Sequence, residues 1–303
     1  MTIGLPRALA YHRYGVLWET FFKALGGRVV VSPESDPILI AKGESLADSE
    51  CCLPVKAYLG HLDRLVGNCD YILAPRFERI GKNDEFCVRF WGLSDLARGT
   101  FPGVRILSYN LKSHRPDSEV SGFMKMGKTL GKSQIAVLAA YKKAKQAQLT
   151  ADTRAGVNQR LLLDSPAIKV LVAAPPYILR DPAMGGTLLR LLAREGVTPI
   201  FPEACGRAGC RRASKATSQS LYWVMNKEAI GAIELLRPRV DGVILVSAFP
   251  CGTDSLVNEL VLRREKRLPV IQIILDGQEG EAGLQTRVEC FADILKERRR
   301  GYA

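Results

Sequence analysis

In the C-terminal half of the chain, hydrophobic and polar positions switch repeatedly between two periods. The run "IKVLVAAP" (168–175) is continuous, apolar and rich in β-branched residues, as a strand buried on both faces requires, and residues 182–195 carry helical spacing. The short strand "VTPIFP" (197–202) comes next, then a helical stretch over 215–236 that Pro238 stops. "GVILVSAF" precedes a helix over 254–266, and "PVIQIILD" (269–276) precedes one over 282–298. Four successive strand–helix units predict a parallel, doubly wound sheet with helices on both faces.

The N-terminal half shows a fainter version of the same pattern. "TIGLPRAL" and "RVVVSP" flank a helix over 14–25, "DYILAPRF" follows one over 55–66, and "VRILSYNL" (104–111) closes the run of strands. Residues 131–160 carry no strand signal and predict one long helix. The predicted fold is therefore α/β, with two Rossmann-like domains and mainly parallel sheets. An N-terminal domain over 1–160 ends in the linking helix, and a doubly wound domain occupies 161–303.

Composition narrows the class. At 303 residues, 47% hydrophobic and 24% charged, the chain reads as globular. The N-terminal residues lack the basic and apolar regions of a signal peptide, and no apolar run approaches the ~18 residues of a membrane span. The expectation is a cytoplasmic protein with no membrane partner. The net charge of +12 permits nucleic-acid binding or an acidic partner. However, the cations are scattered, and no motif with interleaved aromatics accompanies them, so nucleic acid is not expected. The basic run at 296–300 suits the end of a C-terminal helix.

One motif match is a decoy. "GFMKMGKT" (122–129) satisfies G-x-x-x-x-G-K-[ST], but a phosphate loop needs a buried strand delivering its first glycine. The preceding "SHRPDSEVS" is polar and contains proline, so no nucleotide site is expected there.

The cysteines carry more information. Eight of them in a cytoplasmic chain are not a disulfide framework. Cys51 and Cys52 ("SECCLPVK"), Cys87 ("NDEFCVRFWG") and Cys251 ("FPCGTD") fall at loops or strand-to-helix corners, where such sheets keep ligand sites. Cys69 and Cys290 sit in or beside apolar helix faces and read as core. Cys205 and Cys210 ("EACGRAGCRR") have a loose zinc-compatible spacing, with no second ligand pair evident. At the 251 corner, Gly252 would permit close backbone approach and Asp254 would cap the helix. Lys56 and Arg89 offer positive charge to an anionic group. His61, a lone histidine beside Gly60, reads as a packing or capping residue.

Several of these strings together resemble a known family. "IGLPRALAYHRYGVLWETFF", "ECCLPVKAYLGH", "LYWVMNKEAIGA", "FPCGTDSLVNEL" and "AGLQTRVECF" are similar to the acyl-CoA dehydratase activase-related proteins. These belong to the broader group of 2-hydroxyacyl-CoA dehydratase subunits and double-cubane iron–sulfur proteins. The resemblance implies an iron–sulfur cluster in the cleft between the two domains, a 4Fe-4S cubane or a double-cubane. Its ligands map to Cys52, Cys87 and Cys251, and Cys51 stays open as the alternative to Cys52. Val88 and Arg89 depart from the proline and lysine that many relatives carry after the second cysteine.

By the same resemblance, the protein is an iron–sulfur electron-transfer or low-potential reductase component. Its partner would be a separate ATP-dependent activase, and a homodimer is compatible with it. Two other readings stand beside it. One is a 2-hydroxyacyl-CoA dehydratase subunit that binds substrate at the iron without a protein thiolate. The other is a non-redox scaffold with inert or zinc-bound cysteines.

Overall fold

A computed structural model of the chain describes residues 1–112, 117–277 and 280–301. The chain divides into two compact units, Met1–Ala151 and Asp152–Ala303, with the division inside one long helix.

The first unit is built on four parallel strands, β1 (Thr2–Leu5), β2 (Arg28–Val31), β3 (Tyr71–Leu73) and, two strands later in the chain, β6 (Ile106–Leu107), in the order β2-β1-β3-β6. Helices α1 (Tyr11–Ala24), α2 (Pro37–Leu46), α3 (Leu53–Leu65) and α4 (Val88–Thr100) make the crossovers. Two predicted strands divide. "DYILAPRF" breaks at Ala74 and Pro75 into β3 and β4 (Arg76–Gly81), and "VRILSYNL" breaks at Ser108 into β6 and β7 (Asn110–Lys112). β4, β7 and β5 (Asp84–Glu85) form a separate three-stranded sheet in the order β5-β4-β7. Proline has no N–H to give the ladder, which explains where the first break falls. Pairing nevertheless continues past it, with Ala74 N bonded to Leu107 O and Arg76 N to Tyr109 O, both at 2.9 Å.

An aromatic core holds this extension down. Phe77 stacks on Tyr14 at 5.2 Å and meets Phe86, Phe90 and Tyr109, while the Trp18 indole donates to the Tyr109 hydroxyl at 3.0 Å. α5 (Asp117–Thr129) and α6 (Gln134–Leu163) complete the unit, and α6 continues into the second. Residues 122–129 thus lie on a helix, with Lys128 exposed in its last turn. The two glycines there are packing positions. A Cβ on Gly122 would stand 2.6 Å from Tyr109 Cβ, and one on Gly127 would stand 2.1 Å from Val137 Cγ2. Part of the polar segment expected ahead of them, residues 113–116, lies outside the described residues.

The second unit repeats the plan. β8 (Ile168–Ala173), β9 (Val197–Ile200), β10 (Gly242–Ala248) and β11 (Val270–Leu275) are all parallel, in the order β11-β10-β8-β9. Around them lie α7 (Pro176–Leu179), α8 (Gly186–Arg194), α9 (Arg207–Ala213), α10 (Val224–Leu236), α11 (Gly252–Arg264) and α12 (Glu281–Gly301). Every residue of β10 is buried, as a central strand covered on both faces must be. Val243 and Leu245 of that strand share one core with Ile230 and Ile233 of α10 and Val257 and Val261 of α11. α10 starts later than its hydrophobic pattern suggests. The serines and threonine over 217–220 favour turns over helix, and Thr217 and Ser218 bond back to Ser214 O. Cations of the C-terminal basic run serve their own unit: Lys296 pairs with Glu195 at 2.9 Å, and Arg298 donates to Arg267 O at 2.9 Å.

Numbered within each unit, both sheets have the strand order 2-1-3-4. Their topological switch points lie between β1 and β3 and between β8 and β10, and open α/β sheets bind ligands at the carboxyl ends of such strands.

Candidate functional site

The cysteines singled out by sequence occupy one kind of position. Cys52 is the N-cap of α3, Cys87 of α4 and Cys251 of α11, each heading a helix of 13 residues, and no side-chain capping hydrogen bond is made at any of the three. All three are half-buried. An N-cap side chain faces the helix's first amides, whose dipoles favour negative charge and so favour a thiolate over a thiol. α3 and α4 have no acidic residue in the first turn to offset this.

Local packing positions each thiol. α3 is fixed against α2 by backbone-to-backbone contact. A Cβ on Gly43 would stand 1.9 Å from Lys56 O, and one on Gly60 would stand 2.2 Å from Leu39 O. Pro54 lies in the first turn, where its missing N–H costs nothing. Cys87 is held between Phe86 and Phe90, both 3% exposed and both against Phe77. The starts of α3 and α4 are tied together by Arg89, which donates to Glu50 O at 2.9 Å. Each of these helices leads into a parallel strand of the first sheet, so Cys52 and Cys87 lie at the carboxyl edge of that sheet. Cys51, by contrast, is 1% exposed and belongs to the core.

Cys251 follows β10 at the carboxyl edge of the second sheet, after the cis Phe249–Pro250 bond. Its sulfur is 3.4 Å from Thr253 Oγ1. Burial and the adjacent Asp254 carboxyl push its thiol up to about 12, so binding a metal there would displace a proton. One expectation is corrected here. Asp254 is not the N-cap but the third residue of α11, 3% exposed, and it accepts from Asn226 Nδ2 at 2.8 Å. Burial raises its carboxyl pKa. Nothing lies within 4 Å of where a Cβ on Gly252 would be, so the backbone at this corner is open.

The remaining candidates are placed as follows. Lys56, one turn after Cys52, pairs with Glu44 at 3.4 Å. His61 is fully buried with Ser32 Oγ and Ser35 Oγ each 2.9 Å from a ring nitrogen, the packing role its sequence context suggests. Cys290 is exposed, not core. The buried line of α12 runs through Leu284, Val288, Phe291 and Leu295, and a residue two positions after Val288 is turned about 200° away from it. Cys69 is only half-buried, its sulfur 2.9 Å from where a Cβ on Gly4 would be. Among the described residues, no three or more His, Cys, Asp or Glu side chains are grouped so as to hold a metal ion. A shallow, open depression in the second unit is lined by Ala174, Pro202, Glu203, Arg207 and Met225, among others, and by none of the candidate cysteines. No helix among the described residues is long and apolar enough to cross a membrane.

Similarity to solved structures is weak. The chain aligns with a ZnuA structure at 13% identity, covering 97% of this chain and 98% of that one, with a TM-score of 0.26. A sugar transporter from Clostridium phytofermentans aligns at 12% identity over 98% and 93% with a TM-score of 0.20. A periplasmic sugar-binding protein from Pseudomonas fluorescens aligns at 15% over 97% and 91% with a TM-score of 0.21. At these scores none defines a ligand for this chain. No curated protein matches it in sequence. One family model does match, over residues 2–205, which take in the whole first unit with Cys51, Cys52 and Cys87. The chain belongs to the family described as the CoA enzyme activase uncharacterised domain (DUF2229).

Proposed function

We propose that this protein is an iron–sulfur component of an acyl-CoA dehydratase activase system, with Cys52, Cys87 and Cys251 as its protein ligands. The observation that carries the reading is the common placement of these cysteines. Each is a half-buried N-cap of a 13-residue helix, where the helix-start amides face the sulfur, although at Cys251 burial and Asp254 oppose the charge. Burial favours Cys52 over Cys51.

A bound cluster would supply one-electron transfer at low potential. The chain's own residues do the rest. Cys52 and Cys87 present two thiols from helix starts linked through Arg89 and Glu50. In this reading Cys251 would supply the third thiolate. With only these three thiolates, a bound cubane would have one iron without a protein sulfur, open to an external ligand. In this reading the electrons come from a separate ATP-hydrolysing activase.

Anaerobic purification followed by iron and acid-labile sulfide analysis tests it. The wild type should carry about four irons per chain, the content of one cubane. Cys52→Ser, Cys87→Ser and Cys251→Ser should each lose most of that iron while keeping a folded circular dichroism spectrum, and Cys290→Ser should keep it all. Full iron retention in Cys251→Ser would end the reading.

A further inference from the structure

The second unit holds another cysteine pair that the proposed cluster does not use. Cys205 ends a short 3-10 turn (Pro202–Cys205), and Cys210 lies inside α9. Between them Gly206 takes φ +72°, a left-handed conformation that favours glycine, and reverses the chain into the helix. Gly206 is the N-cap of α9, which makes Cys205 the residue before the cap and Cys210 the fourth helical residue. Side chains at those two positions meet across the helix start.

The two thiols share one core and differ in access: Cys210 is 0% exposed, and Cys205 packs against the same cluster half-buried. The Cys210 sulfur has two acceptors within reach, Pro202 O at 3.6 Å and the Cys205 sulfur. Its backbone cannot shift, because Cys210 O stands 1.8 Å from where a Cβ on Gly231 would be. The hydrogen bond from Cys210 lowers the Cys205 thiol below its usual range, and the Arg239 and Arg160 charges add to this.

We propose that Cys205 and Cys210 form a dithiol–disulfide couple, in which half-buried Cys205 attacks a small-molecule disulfide and buried Cys210 resolves the adduct. The Cys205 thiolate attacks one sulfur of R–S–S–R, forming a mixed disulfide and expelling RS⁻. The Cys210 thiol then loses its proton, and its sulfur attacks that of Cys205 and expels the second RS⁻. The protein gives up two electrons and two protons, and the small disulfide becomes two thiols. Reduction by excess thiol reverses both steps.

The test uses the anaerobically purified full chain and glutathione disulfide. After acid quench and alkylation, trypsin cuts at Arg207 and Arg211, so a bridge would join peptides 195–207 and 208–211 into one species. That species should become the dominant form, about 2 Da lighter than the two separate thiol peptides, and should vanish with dithiothreitol. Cys210→Ser should instead trap glutathione on Cys205, and Cys205→Ser should leave Cys210 unmodified. Exposed Cys290 is the internal control for access of the oxidant. Glutathione on Cys290 with neither bridge nor adduct at 205 would overturn the proposal and leave the pair an inert packing contact. Zinc retained by the wild type through chelation and lost in Cys205→Ser would overturn it in favour of a metal site.

Discussion

His61 makes the first unit acid-labile by an amount that follows from its surroundings. The ring is fully buried, both nitrogens are engaged by serine hydroxyls, and burial pulls its pKa down from 6.5 to about 3, with His12 and Arg7 adding to the effect. In the unfolded chain the imidazole titrates near its ordinary value. As pH falls through about 6.5 the unfolded state therefore takes up a proton that the folded state refuses, and stability drops until the pH reaches about 3. The slope approaches about 1.4 kcal/mol per pH unit, which gives a loss of about 2.5 kcal/mol between pH 7 and pH 4.5. The chain has three tryptophans, and Trp18 and Trp91 lie in the first unit, so a Trp223→Phe background lets fluorescence follow that unit alone during urea unfolding. In that background His61→Gln loses hydrogen-bond geometry at every pH but also loses the titration. The difference in stability between parent and variant should accordingly shrink by about 2.5 kcal/mol from pH 7 to pH 4.5. Parallel pH profiles for the two proteins would refute the reasoning, and so would an imidazole resonance assigned to His61, by its absence in His61→Gln, that titrates near 6 in the folded protein. The consequence reaches the candidate site, because the ring ties Ser32 and Ser35, at the carboxyl edge of β2, to the helix that begins at Cys52.

Two further outcomes follow from packing. Gly231→Ala would place a methyl 1.8 Å from Cys210 O and force α9 off α10, so urea unfolding of the second unit should show at least about 1–3 kcal/mol of destabilisation. Lys128 is exposed at the end of a helix and not in a phosphate loop, so Lys128→Ala should leave ATP titrations by calorimetry unchanged. Micromolar ATP binding that disappears in the variant would contradict that assignment.

The sequence alone determined the architecture of both units. Strands buried on both faces read as unbroken apolar runs, and β8, β10 and β11 fall within one or two residues of where those runs predict them. It also located Cys52 and Cys251 at helix starts, because Pro54 after Cys52 and Gly252 after Cys251 are local signals of a chain turning into a helix, whereas Cys87 read only as a loop residue. Tertiary structure decided what depends on distant partners. The charged strand β4 exists because β7 pairs with it and Phe77 anchors it, and α2 because Gly43 and Gly60 let two backbones touch. Cys290 looked like core because its neighbours are apolar, but the helix turns it to solvent. Asp254 looked like a cap because its side chain suits one. Instead the turn after β10 starts the helix at Cys251 and buries the carboxylate against Asn226. Each difference has the same physical cause: local pattern states what a segment can form, while burial and pairing come from residues far away in the chain.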